Sequence, residues 1–199
     1  MFSGKMKAVT FSYDDGVTQD IRLVEILNRY NLKATFNLNS ELLGKDGSLD
    51  ILGKRILHNK VQPHEITEVY KGHEIAAHTL THPDMTEMPA DEVIRQVEQD
   101  RLNLSELSGT EVIGMAYPGR QPNYNSRIAR IIKNGTGVKY ARTTICNKDF
   151  SYKTIFTNSI HPFFTEIGIS YISLRKNLLS LTRKAKRFFI SGVIPMSLT

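Results

Sequence analysis

Short apolar runs alternate with longer amphipathic stretches through most of this chain, and several of the apolar runs end on a polar cluster. Lys7 to Tyr13 alternates small, β-branched and aromatic residues and stops at Asp14-Asp15-Gly16, which predicts a strand followed by a turn. Thr18 is placed to cap a helix in which Ile21, Val24, Leu27 and Tyr30 recur at helical spacing. Lys33 to Leu38 is a second β-rich run, so strand, helix and strand predict a parallel βαβ unit. Residues 40–62 carry Gly44, Gly47 and Gly53 among scattered apolar positions and read as an elaborated loop with a short helix. Pro63 to Tyr70 predicts a helix, and Glu74 to Ala77 a strand whose apolar run, Ile75 to Ala77, is short enough to be buried. The clearest helix runs from Pro89 to Leu107. Proline stands at its first turn, acids follow, Val93, Val97, Leu104 and Leu107 lie along it, and Gly109 ends it. A strand over Val112 to Tyr117 breaks at Pro118-Gly119. A helix over Arg127 to Lys133 stops at Asn134-Gly135, and Val138 to Thr143 predicts a fifth strand. There is no repeat and no internal linker. Such β-α alternation, with polar residues at the strand ends, predicts an α/β fold of the (β/α) barrel type, whose chemistry collects at the C-terminal edge of the strands.

Three clusters stand at those edges: Asp14-Asp15, His78 with His82, and Tyr117-Pro118-Gly119. Histidines four residues apart share one face of a helical turn, which brings two imidazole nitrogens onto one ion. Pro83 limits how far that turn extends. The zincin pattern H-E-x-x-H carries its base beside the first histidine. Here that position is Thr79, so the carboxylate must come from elsewhere, and Asp14-Asp15 is the source. Two adjacent carboxylates repel unless a cation separates their roles, one coordinating and the other free as a base. One carboxylate and two histidines leave open positions for a water nucleophile on zinc or a similar divalent ion.

Bulk composition narrows the setting. At 199 residues, 40% of them hydrophobic and 23% charged, the chain suits one soluble domain or a domain with an appendage. No run is long enough for a membrane span, and Met1 to Lys7 lacks the apolar stretch of a secretory signal. The single cysteine, Cys146, excludes an intramolecular disulfide and suits a reducing compartment, so the expected location is cytoplasmic. The net charge of +6 does not point to nucleic acid. All of it comes from Arg175, Lys176, Arg183, Lys184, Lys186 and Arg187, beyond the last acid at Glu166, while 20 basic residues balance 20 acidic ones before that point. A solvated basic tail explains it, and no nucleic-acid partner is expected.

Thr10-Phe11-Ser12-Tyr13-Asp14-Asp15-Gly16 resembles the T-F-D-D-G motif, and His78-Thr79-Leu80-Thr81-His82 the H-S/T-x-x-H motif, of the polysaccharide deacetylases. This is the NodB-homology group of carbohydrate esterase family four, and the resemblance runs in register over about residues 6–145. It implies a distorted, incomplete (β/α) barrel and metal-dependent removal of acetyl groups from N-acetylated sugars. By that resemblance Asp15, His78 and His82 would hold the metal and Asp14 would be the general base. A backbone N–H just after Pro118, in Tyr117-Pro118-Gly119, would face the oxyanion, and Thr79 would orient the loop. Zinc is the expected ion; cobalt, nickel or manganese suit the same ligands. The partner implied is an N-acetylated carbohydrate; oligomeric state is not readable.

Two departures from the family pattern carry consequences. The arginine expected shortly before the Pro118 position is replaced by Ala116, and Arg142, at the end of the next predicted strand, is the candidate to pair with Asp14 instead. The late strand of similar sequences reads like F-Y-x-W-G-H-S-Y-E-F, with a histidine that protonates the leaving amine, and no such motif is present. With permitted codons, however, Phe188 to Thr199 can be encoded by bases that spell F-Y-I-W-G-H-S-Y-E-F-D when read two positions later. A frameshift between about Asn158 and Ser170 would account for this and for the loss of acids after Glu166. The expected organisation is therefore a catalytic domain over 1–165 and a basic tail over 166–199 that does not supply the native last strand. His161 is the one late histidine that could replace the missing acid; without one, the alternative is a catalytically impaired protein that binds metal and sugar.

Overall fold

The computed structural model describes residues 11–119 and 123–143, together with the backbone of Ile190–Ser191. Phe11–Asp14 (β1), Ala34–Leu38 (β2), Glu74–Ala77 (β5), Gly114–Ala116 (β6), Tyr140–Arg142 (β7) and Ile190–Ser191 (β8) form one sheet in the order β7-β6-β5-β2-β1-β8. Every pairing in it is parallel. Parallel neighbours need crossovers, which are supplied by Asp20–Arg29 (α1), Ile66–Val69 (α2), the helical stretch from Ala90 to Ser108, and Ser126–Gly135 (α5). The result is a curled sheet flanked by helices: a distorted, incomplete (β/α) barrel.

The strands of this sheet point their C-terminal ends to one edge, which brings Asp14, Leu38, Ala77, Ala116 and Arg142 level with one another although they lie up to 128 residues apart. Beneath that edge lies the apolar core. Phe36 and Leu38 of β2 are fully buried, as are Val93, Val97 and Leu104 from the long helical stretch and Ile128 and Ile132 of α5. Phe36 packs against Tyr70 at 4.7 Å and Tyr13 at 5.6 Å between ring centroids. This continuous packing supports the polar edge above it.

Several local expectations need correction. On α1 the buried face is Leu23, Val24 and Leu27 with Asp20, whereas Ile21 and Tyr30 are exposed. Thr18 does not cap the helix; its N–H donates to Asn59 O at 2.8 Å, tying it to the segment before α2. Residues 40–62 hold a short 3-10 turn, Ser40–Leu42, and then an antiparallel hairpin of Ser48–Ile51 (β3) and Lys54–Leu57 (β4). The two hairpin-turn residues, Leu52 and Gly53, both have positive φ, the geometry that matches strand twist. That turn was hidden because a leucine, not Asn or Asp, fills its first position.

The helix predicted from Pro89 is divided: Ala90–Ile94 (α3), a π turn at Arg95–Gln99, and Asp100–Ser108 (α4), with Gly109 in the left-handed conformation as its end. Leu107 is 37% exposed and lies outside the core stripe. A π turn releases carbonyls from the regular ladder. Here the Gln96 carbonyl accepts the Leu80 N–H at 3.0 Å, linking the helix to the loop after β5.

Candidate active site

His78 and His82 do not share a helical turn. The chain after β5 bends through an irregular loop in which Thr79 and His82 have φ of +69° and +60°. Non-glycine residues adopt that conformation at a cost and need external support. Asn39 supplies part of it by donating from Nδ2 to the carbonyls of His78 and Thr79. The Thr79 hydroxyl accepts the His82 N–H at 3.1 Å, and the Gln96 side chain accepts the Thr81 N–H at 3.2 Å. Asp100, fully buried on α4, takes the His78 N–H at 2.9 Å and the Ser40 N–H at 2.7 Å. Burial pushes the Asp100 carboxyl up to about 7 even though these donors oppose the shift. Asn39, Gln96 and Asp100 are thus site-building residues that no sequence motif marked; each sits far from the histidines along the chain.

The loop presents the two imidazoles differently. Nδ1 of His78 lies 2.9 Å from the Ala116 carbonyl, which fixes the ring with Nε2 directed outward. His82 stands edge-on to it with ring centroids 4.9 Å apart, and its Nε2 is 3.8 Å from Asp15 Oδ1. One ligand atom from each of Asp15, His78 and His82 falls within 4.8 Å of the others. Two ligands at about 2.1 Å from a tetrahedral ion are about 3.4 Å apart, so the Asp15–His82 spacing suits a shared cation after a small contraction. The anchored His78 ring is the arrangement that metal-binding histidines require. On donor chemistry and spacing, these residues fit a divalent ion.

Asp14 and Asp15 diverge because the backbone turns between them, with Asp15 at φ +80°. Gly16 follows at φ +61°, and a Cβ there would meet Leu38 Cδ2 at 2.8 Å, so both conformation and space require glycine. Asp14 faces inward. It pairs with the Arg142 guanidinium and accepts the Asn37 amide at 2.8 Å. Burial opposes its ionisation, but the charge of Arg142, with that of His78, prevails and holds the carboxyl below its ordinary value. Arg142 therefore reaches the position considered for it. Asp15 faces the histidines, with Lys60 Nζ 3.6 Å from Oδ1 and His58 Nε2 3.5 Å from Oδ2. Burial works against its charge as well, yet His58, His78 and Lys60 together hold the carboxyl well below the usual range.

Of the third cluster, Tyr117 and Pro118 are buried and only Gly119 is exposed. Tyr117 stacks on Tyr124 with centroids 5.1 Å apart. The Gly119 N–H points at the site, 3.3 Å from His82 Nε2. His161 lies outside the described residues.

Residues 3–141 match the family described as polysaccharide deacetylase. The chain belongs to the polysaccharide deacetylase family. It is 27% identical over 107 residues to a bifunctional xylanase/deacetylase of Pseudobutyrivibrio xylanivorans, an alignment covering 53% of this chain and 15% of that protein. Among solved structures it resembles a polysaccharide deacetylase from Bacillus cereus, with a TM-score of 0.54 and 16% identity over 96% of this chain and 82% of the other. It also resembles the Streptococcus pyogenes deacetylase PplD in complex with acetate, with a TM-score of 0.50 and 22% identity over 63% of this chain and 52% of the other. The chain thus spans about half the length of that deacetylase and a small part of the bifunctional relative. The structural likenesses speak to the fold; the family is carried by the sequence match. No helix among the described residues is long and apolar enough to cross a membrane.

Proposed function

We propose that this chain is a metal-dependent amide hydrolase that removes acetyl groups from N-acetylated sugars or polysaccharides. The observation carrying this reading is the pair of adjacent carboxylates turned to different tasks: Asp15 toward His78 and His82, Asp14 toward Arg142. When bound by Asp15, His78 and His82, a divalent ion, zinc in the first instance, would lower the pKa of water and polarise the acetyl carbonyl. Asp14 takes the proton of the attacking water, for which a carboxylate kept ionised by Arg142 and oriented by Asn37 is suited. The Gly119 N–H, which here donates to His82 Nε2 at 3.3 Å, would turn to the oxygen that gains charge as the acetyl carbon becomes tetrahedral. The bond from that carbon to nitrogen then breaks as the nitrogen takes up a proton, either the one held by Asp14 or one from solvent, releasing acetate and an amine. The single cysteine supports a reducing compartment for this stretch of chain.

Acetate release from chito-oligosaccharides by protein loaded with zinc, cobalt or manganese tests the activity. Replacing Asp15, His78 or His82 by alanine should remove bound metal, whereas Asp14→Asn should keep the metal and lose turnover. An Asp14→Asn protein that comes out metal-free would refute this division of the two carboxylates.

One observation favours a second reading, a catalytically impaired protein that binds metal and sugar. The late W-G-H stretch, source of the acid for the leaving amine in similar sequences, is absent from this chain and can be spelled only by permitted codons read in another frame, and losing a general acid costs on the order of 10²–10⁴ in rate. Ile190–Ser191, within that same stretch, pairs in parallel with Phe11–Ser12 of β1, the strand that ends at Asp14. On the codon argument alone, and not on that pairing, we propose 1–165 as the catalytic domain and 166–199 as a basic tail produced by a frameshift. Sequencing the gene decides the matter: codons incompatible with the second frame would end the idea. Metal-loaded protein that binds chito-oligosaccharide without releasing acetate would support the impaired reading.

A further inference from the structure

We propose that His58, brought to the site by the β3–β4 hairpin, is a positioning residue for Asp15: it holds Oδ2 so that Oδ1 is presented to the metal. The inference rests on the reading of Asp15 as a ligand.

The two edges of the Asp15 carboxylate have different surroundings. Oδ1 faces His82 Nε2 at 3.8 Å and Lys60 Nζ at 3.6 Å. Oδ2 is turned away from the ligand set and faces His58 Nε2 at 3.5 Å. A carboxylate that is free to rotate presents either oxygen, or both, to an ion. A donor fixed on one edge removes that freedom. The Asp15 backbone, at φ +80°, is likewise held by its surroundings, its N–H donating to Asn37 O at 2.9 Å.

The backbone that carries His58 is itself fixed. Its N–H donates to Gly47 O at 2.8 Å, and the neighbouring Asn59 accepts the Gly47 N–H at 3.1 Å through its side chain. The preceding carbonyl, that of Leu57, accepts the Gln19 side-chain amide at 2.7 Å, and the following one, that of Asn59, accepts the Thr18 N–H at 2.8 Å. Val17 and Lys60 form an isolated antiparallel bridge, and the Val61 N–H donates to Gly16 O at 2.9 Å. The segment following β4 is therefore laced to residues 16–19, immediately after the ligand. The hairpin is a structural part of the metal centre, and its one imidazole lies against the outer oxygen of the carboxylate ligand.

The test is zinc affinity, measured by competition with a chelating dye on the full chain, for the unaltered protein and for His58→Ala, His58→Gln and His82→Ala. Circular dichroism and urea unfolding verify that each variant folds. Loss of a partner that orients a ligand typically weakens binding 10–100-fold, so His58→Ala should bind zinc roughly that much more weakly. The amide of His58→Gln can donate to the same oxygen and should recover most of the loss, and the visible spectrum of the cobalt-loaded protein should shift in His58→Ala and return in His58→Gln. His82→Ala should abolish binding. Unchanged affinity in His58→Ala beside loss in His82→Ala would overturn the positioning role while leaving the ligand set intact. A His58→Gln protein as weak as His58→Ala would overturn it too. Absence of zinc binding by the unaltered protein would remove both the inference and the metal reading beneath it.

Discussion

Replacing Arg142 by methionine gives the most direct measure of how Asp14 is kept ionised. The pair is almost wholly enclosed, with side chains 5% and 13% exposed, and the substitution leaves a buried carboxylate whose main charged partner is gone. Breaking a buried pair in this way costs about 3–5 kcal/mol. The Asn37 amide still donates to Asp14 at 2.8 Å, which places the expected loss near the lower end, about 3 kcal/mol. For a chain of this size that corresponds to a fall in Tm of about 6–12 °C. Arg142→Met combined with Asp14→Asn removes both charges, so the double variant should be less destabilised than the sum of the two singles, with a coupling of about 2–3 kcal/mol.

The sign with pH follows from the burial. In the unaltered protein the Asp14 carboxyl lies below its ordinary value, so its contribution to stability is present at neutral pH and lost in acid. Without Arg142, burial raises the carboxyl, and its contribution becomes greatest in acid and is lost as the pH rises. The deficit of Arg142→Met relative to the unaltered protein should therefore be larger at pH 7 than at pH 4.5. Urea unfolding of the four proteins at both pH values, with a chelator present so that no metal replaces the lost charge, provides the measurement. A single-variant loss below about 1 kcal/mol with additive effects would show that Arg142 is an ordinary peripheral ion pair.

The buried Asp20 carboxyl, which accepts the Tyr70 hydroxyl at 2.8 Å, is pushed by burial from 3.8 up to about 7. A raised carboxyl favours the folded state in acid, so this group should lower stability by up to about 4 kcal/mol as pH rises from 4 through 7, and Asp20→Asn should remove that share of the slope in urea titrations, leaving the share of Asp100. Asp100→Ala leaves the Ser40 N–H unpaired and removes one anchor of the His78 loop, which should cost about 1–3 kcal/mol in unfolding experiments and also weaken zinc binding. Dialysis against a chelator should abolish acetate release, and added zinc or cobalt should restore it; activity unaffected by complete metal removal, checked by elemental analysis, would exclude a metal-dependent mechanism.

The strands, their order along the chain and the residues at their ends were legible because each depends on local properties. β-Branched and apolar runs mark β1, β2 and β5, and turn residues mark where they stop. The family motifs named Asp14, Asp15, His78 and His82 for a related reason: each motif is a short contiguous stretch following a strand. What was not legible depends on groups distant in sequence. Spacing alone made His78 and His82 a helical turn, but Asn39, Gln96 and Asp100 hold their loop in a conformation that no local preference favours. Arg142 could be named as a candidate, yet only the parallel pairing of β6 with β7, and the curl of the sheet, bring it across 128 residues to Asp14. The hairpin that carries His58 and Lys60 to Asp15 leaves little trace in the sequence, because its short strands and leucine-containing turn give weak periodicity. The sequence by itself determined which side chains are available for chemistry and at which strand ends they stand. The tertiary structure decided which carboxylate faces the imidazoles and which faces the guanidinium, since that choice is made by charges and donors from separate elements acting across a shared, poorly solvated space.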